Sequence, residues 1–87
     1  MVPHRAYVIV PFERIGSSLG PRRAVIVEEV AQARRLAQGL ARCVPGVAVL
    51  ERRTDPETGD DTDTLIAEFG AIPAAFPEGS NWTMRLN

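Results

Sequence analysis

The sequence predicts an α+β domain: a mainly antiparallel sheet of three to four strands with one helix on one face, in the order β-(β)-α-β-β. Three observations carry this. The run Ala6-Tyr-Val-Ile-Val-Pro-Phe12 is apolar on both sides, as a central strand covered on both faces is. An apolar stripe at spacings of three and four then runs through Glu28–Cys43, the period of an amphipathic helix. Two strand-like segments finally flank Asp55-Pro-Glu-Thr-Gly59, a strong hairpin signal.

Taken in order, Tyr7 and Ile9 line one side of the first strand and Val8, Val10 and Phe12 the other. Pro11 has no amide to donate, so the strand is expected to end there or to carry an irregularity. Glu13–Pro21, with Gly16, Ser17, Ser18, Gly20 and Pro21, reads as a loop. Ala24-Val-Ile-Val27 has three β-branched residues in a row and reads as a short extended segment; a helix starting near Arg22 is the alternative.

In the helix, Val30, Ala33, Ala37, Leu40 and Val44 form the buried stripe and Leu36 widens it. Gln32, Arg34, Arg35 and Gln38 form the polar face. Glu28 and Glu29 are expected at the positive end of the helix dipole and Arg42 at the negative end. Gly39 costs a helix about 0.8–1.0 kcal/mol relative to Ala, and close approach to the sheet would explain it. Pro45-Gly46 stops the helix.

Val47–Arg53 and Thr62–Phe69 are the two strands of the hairpin. Pro56 presets a type I turn, Asp55 can accept backbone amides, and Gly59 supplies a left-handed residue. These five residues resemble the turn of designed miniature hairpins of the chignolin kind. This turn predicts that Arg52 faces Asp63, Leu50 faces Leu65, Val49 faces Ile66 and Ala48 faces Ala67. Ala48, Leu50, Leu65, Ala67 and Phe69 then share one face, and Val47, Val49 and Ile66 the other. Residues 1–73 are expected to make a single domain, followed by a Pro- and Gly-containing tail, 74–87, docked or exchanged. Within it Trp82-Thr-Met-Arg-Leu86 alternates apolar and polar, the pattern of a short added strand.

Composition excludes several classes. With 45% hydrophobic and 24% charged residues the chain is neither disordered nor a disulfide scaffold, and its single cysteine allows no internal disulfide. No apolar stretch approaches the ~20 residues of a membrane span. No leader-like segment opens the chain, so a cytoplasmic location and no membrane partner are expected. The net charge of −1 is no electrostatic footprint for nucleic acid. It is unevenly spread: residues 1–53 balance at +5 and residues 54–87 at −6, which suits compensation within one fold or complementary association.

Sites are sparse. His4 and Cys43 are the only His and Cys; Cys43 is expected to be a small buried hydrophobe, and the pair makes no convincing base and nucleophile. Asp55, Glu57, Asp60, Asp61 and Asp63 miss the EF-hand template, since Gly59 falls fifth and Ile66 stands at the twelfth position. No metal, cofactor or catalytic residue is therefore assigned. Gly16-Ser-Ser-Leu-Gly20 before Arg22-Arg23 is not a Walker loop.

The run from Tyr7-Val-Ile-Val-Pro-Phe12 to Leu65-Ile-Ala-Glu-Phe-Gly70, with the hairpin between, resembles short uncharacterised bacterial proteins, some of them prophage-borne. That resemblance implies no activity. The element order is also similar to part of ferredoxin-like and SPOR-type domains, without a peptidoglycan- or RNA-binding motif.

Function is read from a shortfall. One helix covers one face of the sheet, so Val47, Val49 and Ile66 are left without cover, and such a surface marks an interface. The expectation is a non-enzymatic, self-associating interaction module, a homodimer with a possible protein partner. Arg34, Arg35, Arg42, Val47, Val49, Ile66 and Trp82 are the candidate partner-binding residues. The alternative is a nucleic-acid-binding module that uses the arginine pairs 22/23, 34/35 and 52/53 beside Tyr7 and Phe12, although the aromatic ribonucleoprotein motif is missing. A ligand-binding or enzyme pocket at a dimer interface is the third reading.

Overall fold

The computed structural model describes residues 4–73 and 76. One helix packs on an antiparallel sheet in the order β1 (His4–Ile15), β2 (Ser18–Pro21), β3 (Val25–Val27), α1 (Val30–Leu40), β4 (Gly46–Thr54) and β5 (Asp61–Gly70). The α+β class is as the sequence predicts. β2 and β3 lie end to end along the same edge of β1, so five strands make a sheet four strands wide, with β4 on the other side of β1 and β5 beyond it.

β1 is longer than expected and does not stop at Pro11. Its twelve residues span about 36 Å. Pro11 is tolerated because of where it sits. In a strand, a residue's N–H and C=O point to the same side, and the Pro11 carbonyl accepts the Arg22 amide at 2.7 Å on the β2/β3 side. The missing donor thus faces the break where the pairing slips from β2 (Phe12↔Pro21) to β3 (Ile9↔Val25). The stretch expected to be a loop is a hairpin. Gly16 and Ser17 form a two-residue turn between Ile15 and Ser18; Gly16 has φ 64° and Ser17 a negative φ, the sign pattern of a type II′ turn. Ala24–Val27 is extended, and no helix starts at Arg22.

α1 is shorter than the apolar stripe. Glu29 caps its start and Ala41 its end, so neither Glu28 nor Arg42 lies within it. Gly39 is exposed, and a Cβ there would meet nothing within 4 Å, so close approach to the sheet does not explain it. Cys43 is exposed rather than buried, because the helix has ended before it and the chain is already turning toward β4.

The hairpin turn forms as its residues dictate. The Asp55 carbonyl accepts the Gly59 amide at 2.7 Å, the Asp55 carboxylate accepts the Glu57 amide at 2.8 Å, and Gly59 has φ 77°. Arg52 opposes Asp63 and Leu50 opposes Leu65 as predicted. Beyond them the register changes: Val49 faces Ala67 and Ala48 faces Glu68, leaving Ile66 as the extra residue of a β-bulge. Ala67 and Phe69 are thereby moved to the same face as Val47, Val49 and Ile66.

Two apolar layers result. On the helix side Ile9, Val47 and Val49 are fully buried with Ala33 and Ala37, and Tyr7, Val27, Leu36, Leu40, Ile66 and Phe69 pack around them. On the other side Val8, Val10, Phe12, Ala24, Ala48 and Leu50 are fully buried, with Leu65 and Ile72 against them. Phe76 closes this side, its ring edge-on to Phe12 at 4.9 Å. The chain reaches that place by a tight reversal after β5. Gly70 has φ 76°, and the Ala71 amide binds the Pro45 carbonyl at 2.9 Å. A Cβ on Gly46 would collide with the Ala71 backbone, and one on Gly70 with Pro45. Both glycines are required by this close approach.

Candidate interaction surface

The fully buried set contains no polar or charged residue among the described residues. His4 pairs with Thr54 at one end of β1, whereas Cys43 lies just before Gly46, which pairs with Phe12. Eight residues of β1 separate the two levels, about 26 Å, so they form no base and nucleophile pair.

The candidate residues divide. Arg34 and Arg35 are exposed on the outer side of α1, and Arg42 is exposed beyond its cap. Val47 and Val49 are fully buried beneath the helix, and Ile66 is half-buried in the same layer. The face expected to lack cover is the face α1 occupies, so Val47 and Val49 offer nothing to a partner. Trp82 lies outside the described residues, as does the strand expected over 82–86.

The acidic hairpin end is internally engaged. Arg52 donates two hydrogen bonds to Asp63, from Nε at 2.9 Å and from Nη2 at 3.0 Å, with both side chains about one-fifth exposed. The Asp63 carboxylate raises the Arg52 pKa above its already high ordinary value, foremost through this hydrogen bond, while partial burial pulls the other way. Thr54 donates to Asp61 at 2.6 Å. Asp55 serves the turn. Among the described residues no three His, Cys, Asp or Glu side chains gather as a metal site would require.

Neither ring expected to stack on bases is exposed. Phe12 is fully buried and Tyr7 belongs to the layer under the helix. Base stacking requires exposed rings. Gly16–Gly20 forms a turn and β2, with no helix following to present amide groups to a phosphate.

What sequence reading missed is the β1–β2 ribbon. β4 begins at Gly46, opposite Phe12, so, among the described residues, 13–20 pair only with each other. Ile15 at its end is 61% exposed, the largest exposure among the big apolar side chains of the described residues, ahead of Ile26 and Val30 at 40%. The signal was the Gly16-Ser17 pair at a hairpin turn, hidden inside a glycine- and serine-rich stretch. Near its base Arg22 pairs with Glu13 at 3.4 Å. No described helix is long and apolar enough to cross a membrane. No family model, no curated protein and no solved structure matches the chain.

Proposed function

We propose that the chain is a small non-enzymatic interaction module that associates with a second copy of itself through the β1–β2 ribbon. The observation behind this reading is Ile15, an apolar side chain 61% exposed at the end of a ribbon that no third strand supports among the described residues. A two-stranded ribbon is marginal alone, and packing its apolar end against another subunit stabilises it.

Light scattering at high micromolar concentration tests it. The wild-type mass is expected at twice the 9.5 kDa of one chain. The Ile15→Arg variant, altered at an exposed position, is expected at the single-chain mass. A single-chain mass for the wild type would overturn the reading.

A further inference from the structure

Charge is sorted over the surface by region. Ala33 and Ala37 turn toward the sheet, and at about 100° per residue Arg35 stands opposite them with Arg34 on its flank. Arg42 follows seven residues after Arg35, in the turn where its amide binds the Gly39 carbonyl at 3.3 Å. All three arginines are exposed. No Asp or Glu occurs from residue 30 to residue 45, and none of the three guanidiniums forms an ion pair with a described residue. The end of the β4–β5 hairpin is the reverse. Residues 55–61 hold Asp55, Glu57, Asp60 and Asp61, all exposed, and no basic residue. Behind the tip the charges are already matched, Asp63 with Arg52 and Glu51 with Arg53.

The two patches are kept apart within one subunit. Arg42 lies just before Gly46, which is level with Phe12, whereas the tip lies past Thr54, which is level with His4. The eight residues of β4 between these levels span about 26 Å, about three Debye lengths at 0.15 M salt. Neither patch therefore neutralises the other in the subunit that carries both. We propose that the outer face of α1 receives the acidic hairpin tip of a second copy, with Arg34, Arg35 and Arg42 against Asp55, Glu57 and Asp60. Opposite charge on two exposed patches of the same chain supports this occupant. The residues are different from Ile15, so this contact is separate from the association through the ribbon. Ion pairs open to water are individually weak, so the contact fades near about 0.15 M salt and grows at about 0.01 M, where the Debye length reaches about 30 Å.

Light scattering of the Ile15→Arg variant at high micromolar concentration tests it without the ribbon contact. A single-chain mass is expected at about 0.15 M salt and at least about twice that mass at about 0.01 M. Into this background go Arg35→Glu and Glu57→Arg, both at exposed positions. Each should abolish the rise, although they move the net charge in opposite directions, and the two together should restore it. Arg23→Glu alters an exposed arginine outside α1; it changes the net charge as Arg35→Glu does and should leave the rise intact. No rise at low salt overturns the proposal. A rise that Arg23→Glu and Arg35→Glu remove alike overturns it in favour of overall charge. A rise that Arg35→Glu removes and Glu57→Arg spares overturns it in favour of a different acidic segment on α1. A mass that stays at one chain while short single-stranded DNA binds, and binds no longer to the Arg35→Glu variant, overturns it in favour of nucleic acid on the same face.

Discussion

The two faces of the sheet are kept dry by different means. Under α1 the cover is continuous. Ala33 and Ala37 are small, so the helix backbone sits close, and Ile9, Val47 and Val49 from the sheet fill the layer. On the other face, among the described residues, Phe76 is seated on Phe12 and Ile72 and Leu65 pack against the cluster of Val8, Val10, Phe12, Ala24, Ala48 and Leu50. A helix spreads its contribution over many side chains. Among the described residues, the segment after β5, a strap, brings one ring to its face, Phe76 on Phe12, with Ile72 beside it. Single substitutions should therefore cost far more on the strap than on the helix.

The reversal itself should show the largest effect. Gly46→Ala sets a Cβ against the Ala71 backbone, which cannot yield as a flexible side chain would. A loss of at least about 4 kcal/mol in urea unfolding is expected. A loss near that of an ordinary surface change would show that the strap is free to shift. Phe76→Ala comes next. Removing a ring 6% exposed and seated on Phe12 should cost about 3 kcal/mol.

The hairpin contributes less. Asp63→Ala removes both hydrogen bonds from Arg52, and about 1 kcal/mol is expected for a partly exposed cross-strand pair. The smallest effect has the opposite sign. Gly39 is exposed on α1 with open space where a Cβ would go, so Gly39→Ala should stabilise the protein by about 0.8–1.0 kcal/mol. Destabilisation there would place an unseen neighbour over the outer side of the helix.

Local chemistry made much of this fold legible. The spacing of Val30, Ala33, Ala37 and Leu40 located the helix, and Asp55, Pro56 and Gly59 located the turn and, through it, the Arg52–Asp63 pair. What stayed hidden was set by other forces. The bulge at Ile66 reverses which face Ala67 and Phe69 occupy, and nothing in the alternation of that strand announces an extra residue. With Ala67 and Phe69 added to it, the face of Val47 and Val49 is the one α1 covers. The β1–β2 ribbon was obscured because glycine and serine serve loops and tight hairpin turns alike. Cys43 is exposed because the helix ends before it, although its composition suited the interior.

Among the described residues both faces of the sheet are packed within one subunit, and the association proposed through Ile15 is separate from that packing. The most direct measurement is the urea unfolding midpoint of the Ile15→Arg variant across protein concentration, from about 1 to about 100 μM. The midpoint of this variant is expected not to move with concentration. A midpoint that climbs with concentration in this variant would mean that a second chain, and not the strap ending in Phe76, closes the face opposite the helix.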